Sequence, residues 1–534
     1  MSQSDQPWWR GAVLYQIYPR SYLDTNGDGV GDLPGITQRL DYIASLGVDG
    51  IWISPFFASP MKDFGYDVSD YCAVDPVFGT LEDFDQLLEA AHARDLKVVI
   101  DQVYAHTSDE HAWFTESRQS RDNPRADWYV WHDPNPDGTP PNNWQAVFGG
   151  AAWTWDARRQ QYYMHNFLPQ QPQLNMHNRK VQDALLVTAR FWLDRGVDGF
   201  RLDAINFAMH DRDFRDNPPW DPSGRVITRP FDLQRHTYNQ SQPEVPDFLK
   251  RVRALTDEYG ARFTVAEVAT DDPLPVMRAY TEGNDRLTAA YSFDFLYAAS
   301  LSAARVRRAQ GNWLGGAGEG WPSWEFSNHD APRCVSRWYE GPDRPRFAKL
   351  TNALLLCLRG NPILYQGEEL GLTQVDVPFE ALQDPEAIAN WPRTLGRDGA
   401  RTPMPWTDTA PYAGFSGAKP WLPVGADHPG MSVGVQEDDP ESVLNFTRHF
   451  LALRKTSPAL QWGDVRFVDS PENLLIMIRS SGGETVTCLF NLGDAPMVIP
   501  EEVRLDGALL ACSDEGIDLS GRILPPYGFA ILGN

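Results

Sequence analysis

Short apolar runs and helical segments take turns along most of this 534-residue chain, and that alternation restricts its fold more than any other feature. The apolar runs fall at 13 to 18 (VLYQIY), 50 to 53 (GIWI), 97 to 101 (KVVID), 198 to 203 (DGFRLD), 263 to 267 (FTVAE), 289 to 294 (AAYSFD), 323 to 327 (SWEFS) and 362 to 365 (PILY). Between them, segments such as 36 to 46, 82 to 94, 178 to 195 and 345 to 358 carry apolar residues at helical spacing. Strands that alternate with helices predict a parallel sheet with crossover helices. Eight such units closing on themselves make an α/β fold, the (β/α)8 TIM barrel, whose functional residues sit at the C-terminal ends of the strands.

Two stretches break the repeat. From 105 to 176 the chain is rich in Trp, Pro, Asn and Gly and too long for an ordinary loop, which predicts an inserted subdomain overhanging the strand ends. After about residue 460, runs such as 474 to 479, 485 to 490, 503 to 511 and 522 to 531 read as short strands and predict an all-β C-terminal domain. The expected organisation is a first barrel part at 1–104, the insertion at 105–176, a second barrel part at 177–459 with an irregular excursion at 371–430, and a C-terminal β-sandwich at 460–534.

Composition narrows the function. The chain carries 47 basic and 72 acidic residues, net −25, which argues against nucleic acid or an anionic membrane surface as partner. Its 19 tryptophans offer flat apolar faces of the kind that suit sugar rings. Five scattered cysteines, at 72, 334, 357, 488 and 512, suggest neither a disulfide framework nor a zinc site. The first twenty residues lack a basic region followed by a long apolar run, so a cytoplasmic protein without a membrane anchor is expected.

If the strands close into a barrel, several strand ends deliver acids to one rim. Asp203 ends the fourth strand, Glu267 the fifth, and Asp330 follows the seventh. Arg201 stands two residues before Asp203 and so points to the same side of its strand. Three crowded carboxylates repel, which raises the pKa of at least one. Glu267 follows Phe263, Val265 and Ala266 and is the candidate general acid; Asp203, beside Arg201, is the candidate ionised nucleophile. Two carboxyls roughly 5 to 5.5 Å apart are the arrangement of a retaining glycosidase. Separately, Asp24, Asn26, Asp28, Val30 and Asp32 offer oxygens at alternate positions around Gly29, as a Ca²⁺ loop does, although no Glu follows at the place an EF-hand requires.

The chain resembles the α-amylase family of glycoside hydrolases, in its bacterial α-glucosidase branch. The resemblance runs through YQIYPRSY at 15 to 22, DTNGDGVGD at 24 to 32, GYD at 65 to 67, DQVYAHTS at 101 to 108, QPQLNMHN at 171 to 178, GFRLDAIN at 199 to 206, AEV at 266 to 268, FSNHDAPR at 326 to 333, YQGEELG at 365 to 371 and RTPMPW at 401 to 406. It implies Asp203 as nucleophile, Glu267 as acid and then base, and Asp330 as the residue that holds sugar hydroxyls and favours the distorted ring. By the same resemblance Arg201 orients Asp203, His106 and His329 bind hydroxyls, Tyr66 stacks on the ring, and Phe148 and Phe167 line the pocket entrance. Asp63 and Arg401 match a pair that grips the non-reducing end and so enforces exo-action. The resemblance also implies a structural Ca²⁺ or Mg²⁺ on Asp24, Asn26, Asp28, the Val30 carbonyl and Asp32, and no organic cofactor. In this branch the residue after the nucleophile borders the leaving group, and a small one, here Ala204, accompanies α-1,4 preference. Two competing readings are a glucosyltransferase or sugar isomerase of the same fold, and a non-catalytic transporter subunit; the intact acid set and the absence of a spanning stretch weigh against the second.

Overall fold

A computed structural model describes residues 6–221, 227–311, 313, 320–394, 396–514 and 517–533. The first five residues, part of the stretch read for a targeting signal, lie outside the described residues. Eight parallel strands close into a barrel in sequential order: β1 (Leu14–Ile17), β2 (Gly50–Ile53), β3 (Lys97–Val103), β4 (Gly199–Asp203), β5 (Phe263–Val268), β6 (Ala289–Ser292), β7 (Trp321–Trp324) and β8 (Asn361–Tyr365). All eight fall where the apolar runs predict, save that β7 begins and ends earlier. The difference has a packing cause: Phe326 leaves the sheet to pack on Phe295 and Trp338.

The helices between strands follow from local signals. Leu81–His92 opens with a reciprocal cap in which Thr80 accepts from the Asp83 N–H and the Asp83 side chain accepts from the Thr80 N–H, a motif worth about 1 kcal/mol. Arg179–Arg195 starts at an Asn178 cap and stops at Gly196, whose φ of +104° suits glycine. It buries Val181, Leu185, Ala189 and Trp192, one face of the helix, against the barrel wall. Each such aliphatic or aromatic side chain contributes roughly 1.5 to 3 kcal/mol. Leu14, Trp52, Val99, Val265, Ala289 and Ile363, all on barrel strands, form a separate small core.

Register sets which polar groups meet at the rim. Asp101 on β3 and Val265 on β5 flank Arg201 on β4, and Glu267 on β5 lies opposite Tyr291 on β6. Within 105–176 lies a three-stranded antiparallel sheet of Trp131–His132, Gln161–Met164 and Trp153–Asp156, with its own core around Trp144 and Met164. Among the described residues of 371–430, the regular elements are short 3-10 turns and one α-helix, Pro385–Asn390. Beyond it, a five-stranded sheet in the order Asp464–Phe467, Leu474–Ser481, Glu484–Asn491, Phe529–Gly533, Ala508–Cys512 packs with a two-stranded one. The single strand expected at 522 to 531 is two, because Pro525 and Pro526 lack the N–H a ladder needs. No helix among the described residues is long and apolar enough to cross a membrane, and the five cysteines form no disulfide.

Candidate active site

Arg201 is fully buried and joins the acids. Its Nη1 donates to Asp101 Oδ1 at 2.6 Å and to Asp203 Oδ1 at 2.7 Å, while Nη2 pairs with Glu267 Oε1 at 2.7 Å. Nε and Nη2 also donate to the Tyr291 hydroxyl at 3.0 and 2.9 Å. The Trp52 ring lies 5.1 Å from the guanidinium carbon, and its Nε1 donates to Asp101 Oδ2 at 3.0 Å. One cation therefore serves three carboxylates. Asp203 and Glu267, distant in sequence, are held on adjacent nitrogens of the same planar group, at the C-terminal ends of neighbouring strands.

Sharing weakens what Arg201 does for each acid. Burial pushes the Asp203 carboxyl up to about 7, more than Arg201 pulls it down, and Asp101 adds to the rise. Arg201 does stand beside Asp203 as the sequence suggests, but its hold on that acid is diluted: a guanidinium neutralises one carboxylate, and three claim it. Glu267 is also raised, first by burial, with Asp203 and Asp330 adding repulsion and Arg201 opposing. Asp330 goes the other way. Burial favours its neutral form, but His329, Arg401 and Arg397 outweigh burial and hold it well below the usual range. Burial lowers His329 itself to about 3, so at neutral pH the two arginines carry that effect.

The β7 loop presents His329 and Asp330. His329 Nδ1 meets the Gln16 amide nitrogen at 2.7 Å, and an amide N–H donates, so the neutral ring keeps its proton on Nε2. That nitrogen lies 2.5 Å from the Tyr66 hydroxyl and 3.3 Å from Asp330 Oδ2. Tyr66 stacks on His329 with ring planes 8° apart. His106, lowered by burial to about 4, meets the Tyr66 carbonyl at 3.0 Å through Nε2. Its ring packs on Phe167, which stands 5.8 Å from Phe148.

One sequence expectation is corrected by the ion pairs. Asp63 pairs with Arg397, not Arg401: Arg397 Nη2 reaches Asp63 Oδ1 at 2.9 Å, whereas Arg401 Nη2 reaches Asp330 Oδ1 at 2.7 Å and its Nε donates to the His329 carbonyl. The two arginines sit four residues apart across the 3-10 turn Asp398–Ala400; both reach Asp330 Oδ1, Arg397 at 3.4 Å, and Arg397 also pairs with Asp63. Arg397 is further anchored by Asp384 at 2.8 Å and lies over the Phe148 ring at 4.8 Å. Reading the sequence missed Arg397; the signal available was a second arginine just before RTPMPW in a stretch with few other cations. It also missed Tyr291, whose apolar strand context reads as core, and Gln171, whose amide donates to Asp63 Oδ2 at 3.1 Å.

Ala204 adopts φ +38°, a left-handed conformation uncommon outside glycine, and its N–H donates to Glu267 Oε2 at 2.7 Å. The side chain joins Ala105 and Phe207 in a small apolar cluster that also contacts Phe167 and Phe231. The turn at 24–32 is wound by successive side-chain-to-backbone bonds: Asp24 Oδ1 accepts from Asn26 and Gly27, Asn26 Oδ1 from Asp28, and Asp28 Oδ1 from Val30. Its donors are all hard oxygens and suit Ca²⁺ or Mg²⁺. Asp32 is turned away, accepting from Thr25 and capping a helix at the Gly35 N–H. Among the described residues no three Asp, Glu, His or Cys side chains come together at metal-ligand spacing. Asp24 is engaged in the same way as Asp32, its Oδ2 accepting from the Gly29 N–H and the Ser416 hydroxyl.

Comparison with known proteins gives a consistent set of likenesses. The profile of the family described as "Alpha amylase, catalytic domain" matches residues 16–463. The "Probable alpha-glucosidase" of Rhizobium meliloti (strain 1021) is 54% identical over 499 residues, covering 92% of this chain and 90% of that protein. The "Oligo-1,6-glucosidase" of Heyndrickxia coagulans is 38% identical over 527 residues, with 91% and 92% covered. The solved structure of the alpha-glucosyl transfer enzyme XgtA superposes with a TM-score of 0.92 at 52% identity, covering 99% of this chain and 100% of that one.

Proposed function

Because the chain belongs to the α-amylase family of glycoside hydrolases and is an enzyme of the α-glucosidase type, we propose that it is a retaining, exo-acting α-glucosidase for terminal α-1,4-linked glucose. Its substrates are maltose-like disaccharides and short oligosaccharides. The observation that carries this reading is the single Arg201 guanidinium binding both Asp203 and Glu267. Asp203 attacks the anomeric carbon while Glu267 gives its proton to the departing oxygen, leaving a β-glucosyl ester; Glu267 then takes a proton from the incoming water. Asp330, kept ionised by Arg401 and Arg397, accepts hydroxyl hydrogen bonds that strengthen as the ring flattens. Neutral His329 and His106 donate or accept without adding charge. Asp63 and Arg397 close the pocket behind the terminal sugar, which supports exo-action.

For linkage, the left-handed backbone at Ala204 supports a small residue, since a β-branched side chain is strained there. Comparing kcat/KM on maltose and isomaltose checks this: maltose should win by at least roughly tenfold, the scale of one lost subsite contact. A preference for isomaltose would overturn the α-1,4 reading and leave the chemistry standing. The likeness to a transfer enzyme favours a second outcome of the same ester, capture by a sugar hydroxyl. Product analysis at high maltose separates the two: transfer gives trisaccharide with one glucose released for each, hydrolysis gives two glucose per maltose and no trisaccharide.

We also propose that the 24–32 turn holds a structural Ca²⁺ or Mg²⁺. Asp28 makes only local bonds, so Asp28→Ala should lower Tm little in EDTA yet abolish any rise on adding Ca²⁺. A wild-type Tm that ignores both EDTA and Ca²⁺ would rule the cation out.

A further inference from the structure

We infer that Tyr291 is a positioning residue for the acid–base step, fixing which oxygen of Glu267 carries the proton. The inference rests on the glucosidase reading above and adds to it a residue outside the acid set. The Tyr291 hydroxyl lies within 3.0 Å of Arg201 Nε and 2.9 Å of Nη2, and both of those are donors without lone pairs. The hydroxyl therefore accepts from both, and among the described residues its one proton goes to Glu267 Oε1 at 3.3 Å. Oε1 already faces Arg201 Nη2 at 2.7 Å. The other oxygen, Oε2, accepts only the Ala204 N–H, at 2.7 Å.

The two oxygens of one carboxyl are thus unlike. Oε1, which accepts from the Tyr291 hydroxyl and faces the Arg201 cation, is held as the unprotonated oxygen; Oε2 retains a lone pair and is where a proton can sit. Oε2 is also the oxygen beside Ala204, the residue that follows the nucleophile. Tyr291 is buried, and its ring packs on Trp52 inside the barrel, so its hydroxyl has no route to water that would let it turn away. The charged and titratable groups around this pair come from two strands and one loop: Asp101 on β3, Arg201 and Asp203 on β4, and Glu325 and Asp330 after β7.

Two consequences follow. A donor on the ionised form favours it, so losing the hydroxyl disfavours Glu267 carboxylate and moves the alkaline limb of activity to higher pH. Protonation of the leaving group matters most when that group is a poor one, so the loss falls on sugar leaving groups rather than on activated phenols.

The test is Tyr291→Phe, assayed on maltose and on 4-nitrophenyl α-glucoside across pH, with circular dichroism and Tm as folding controls. The expected result is an alkaline limb of kcat/KM shifted up by roughly half a pH unit or more. Turnover of maltose should fall by about tenfold, with a much smaller loss on the aryl glucoside. Site-specific 3-fluorotyrosine at 291, a more acidic phenol of nearly the same shape, folds as the parent does and should move the limb the opposite way. Equal losses on both substrates with unmoved limbs would overturn the inference while leaving the glucosidase reading intact. A wild-type chain inactive on both sugars would overturn the inference together with the reading beneath it.

Discussion

Asp203→Ala should lower kcat/KM on maltose by at least roughly ten-thousandfold, the largest single effect expected of any side chain here. The substitution removes the atom that bonds to the anomeric carbon, and no neighbour can replace it: Asp101 is pinned by Arg201 and Trp52, and Asp330 by Arg401 and His329. The fold should survive, because Arg201 keeps Asp101, Glu267 and the Tyr291 hydroxyl as partners and is not left as an unpaired buried charge. Sodium azide supplies a decisive readout. A small anion entering the space of the lost carboxylate attacks from the β face, so 4-nitrophenyl α-glucoside plus azide should give β-glucosyl azide. Wild-type turnover, monitored by NMR, should release glucose first as the α anomer. Substantial residual hydrolysis of maltose by the variant, or β-glucose as the first product of the parent enzyme, would remove Asp203 from the nucleophile's role.

Glu267→Ala should be nearly as damaging on maltose, by roughly a hundred- to ten-thousandfold, but far less so for formation of the glycosyl ester from an activated aryl glucoside. Azide should then attack the ester from the α face and give α-glucosyl azide, the opposite anomer from the Asp203 variant. That pairing of products distinguishes the two carboxyls by chemistry. Their titration separates them as well. Asp203 must be ionised to attack, and burial brings its pKa up to about 7, so kcat/KM should fall as pH drops through neutrality. Glu267 must be protonated, and its carboxyl is raised, so activity should fall again as pH rises beyond its titration. The two limbs belong to the pair, since groups this close titrate together. In Glu267→Ala the alkaline limb should vanish for the aryl glucoside while the acid limb stays. Should the alkaline limb persist in that variant, another group would be the acid.

The buried arginines explain why so acidic a cluster holds together. The chain is acidic overall, yet Arg201, Arg397 and Arg401 are all buried at the strand ends and each faces at least one carboxylate. Delocalised, planar guanidinium groups tolerate burial better than ammonium and reach two or three acids at once. The arrangement holds Asp330 ionised while burial raises both Asp203 and Glu267, so acids on one rim differ in proton affinity.

Local sequence determined much of this molecule. Apolar runs of four to six residues and helical spacing between them located all eight strands of the barrel, because a parallel strand buried on both faces needs a near-continuous apolar run. Strand-end acids and their flanking residues drew attention to Asp203, Glu267 and Asp330, since polar groups in such places are costly without a partner. Pairing between distant segments was decided only in three dimensions. That Asp63 meets Arg397 and Arg401 meets Asp330 depends on how the 371–430 excursion folds over the rim, which no spacing rule encodes. The same holds for Tyr291, an apolar-looking strand residue whose hydroxyl becomes meaningful only when closure of the barrel sets it between Arg201 and Glu267. Hydrophobic pattern is a one-dimensional property and fixes elements; proton affinity depends on burial and on charges a few ångströms away, and those distances exist only once the chain has folded.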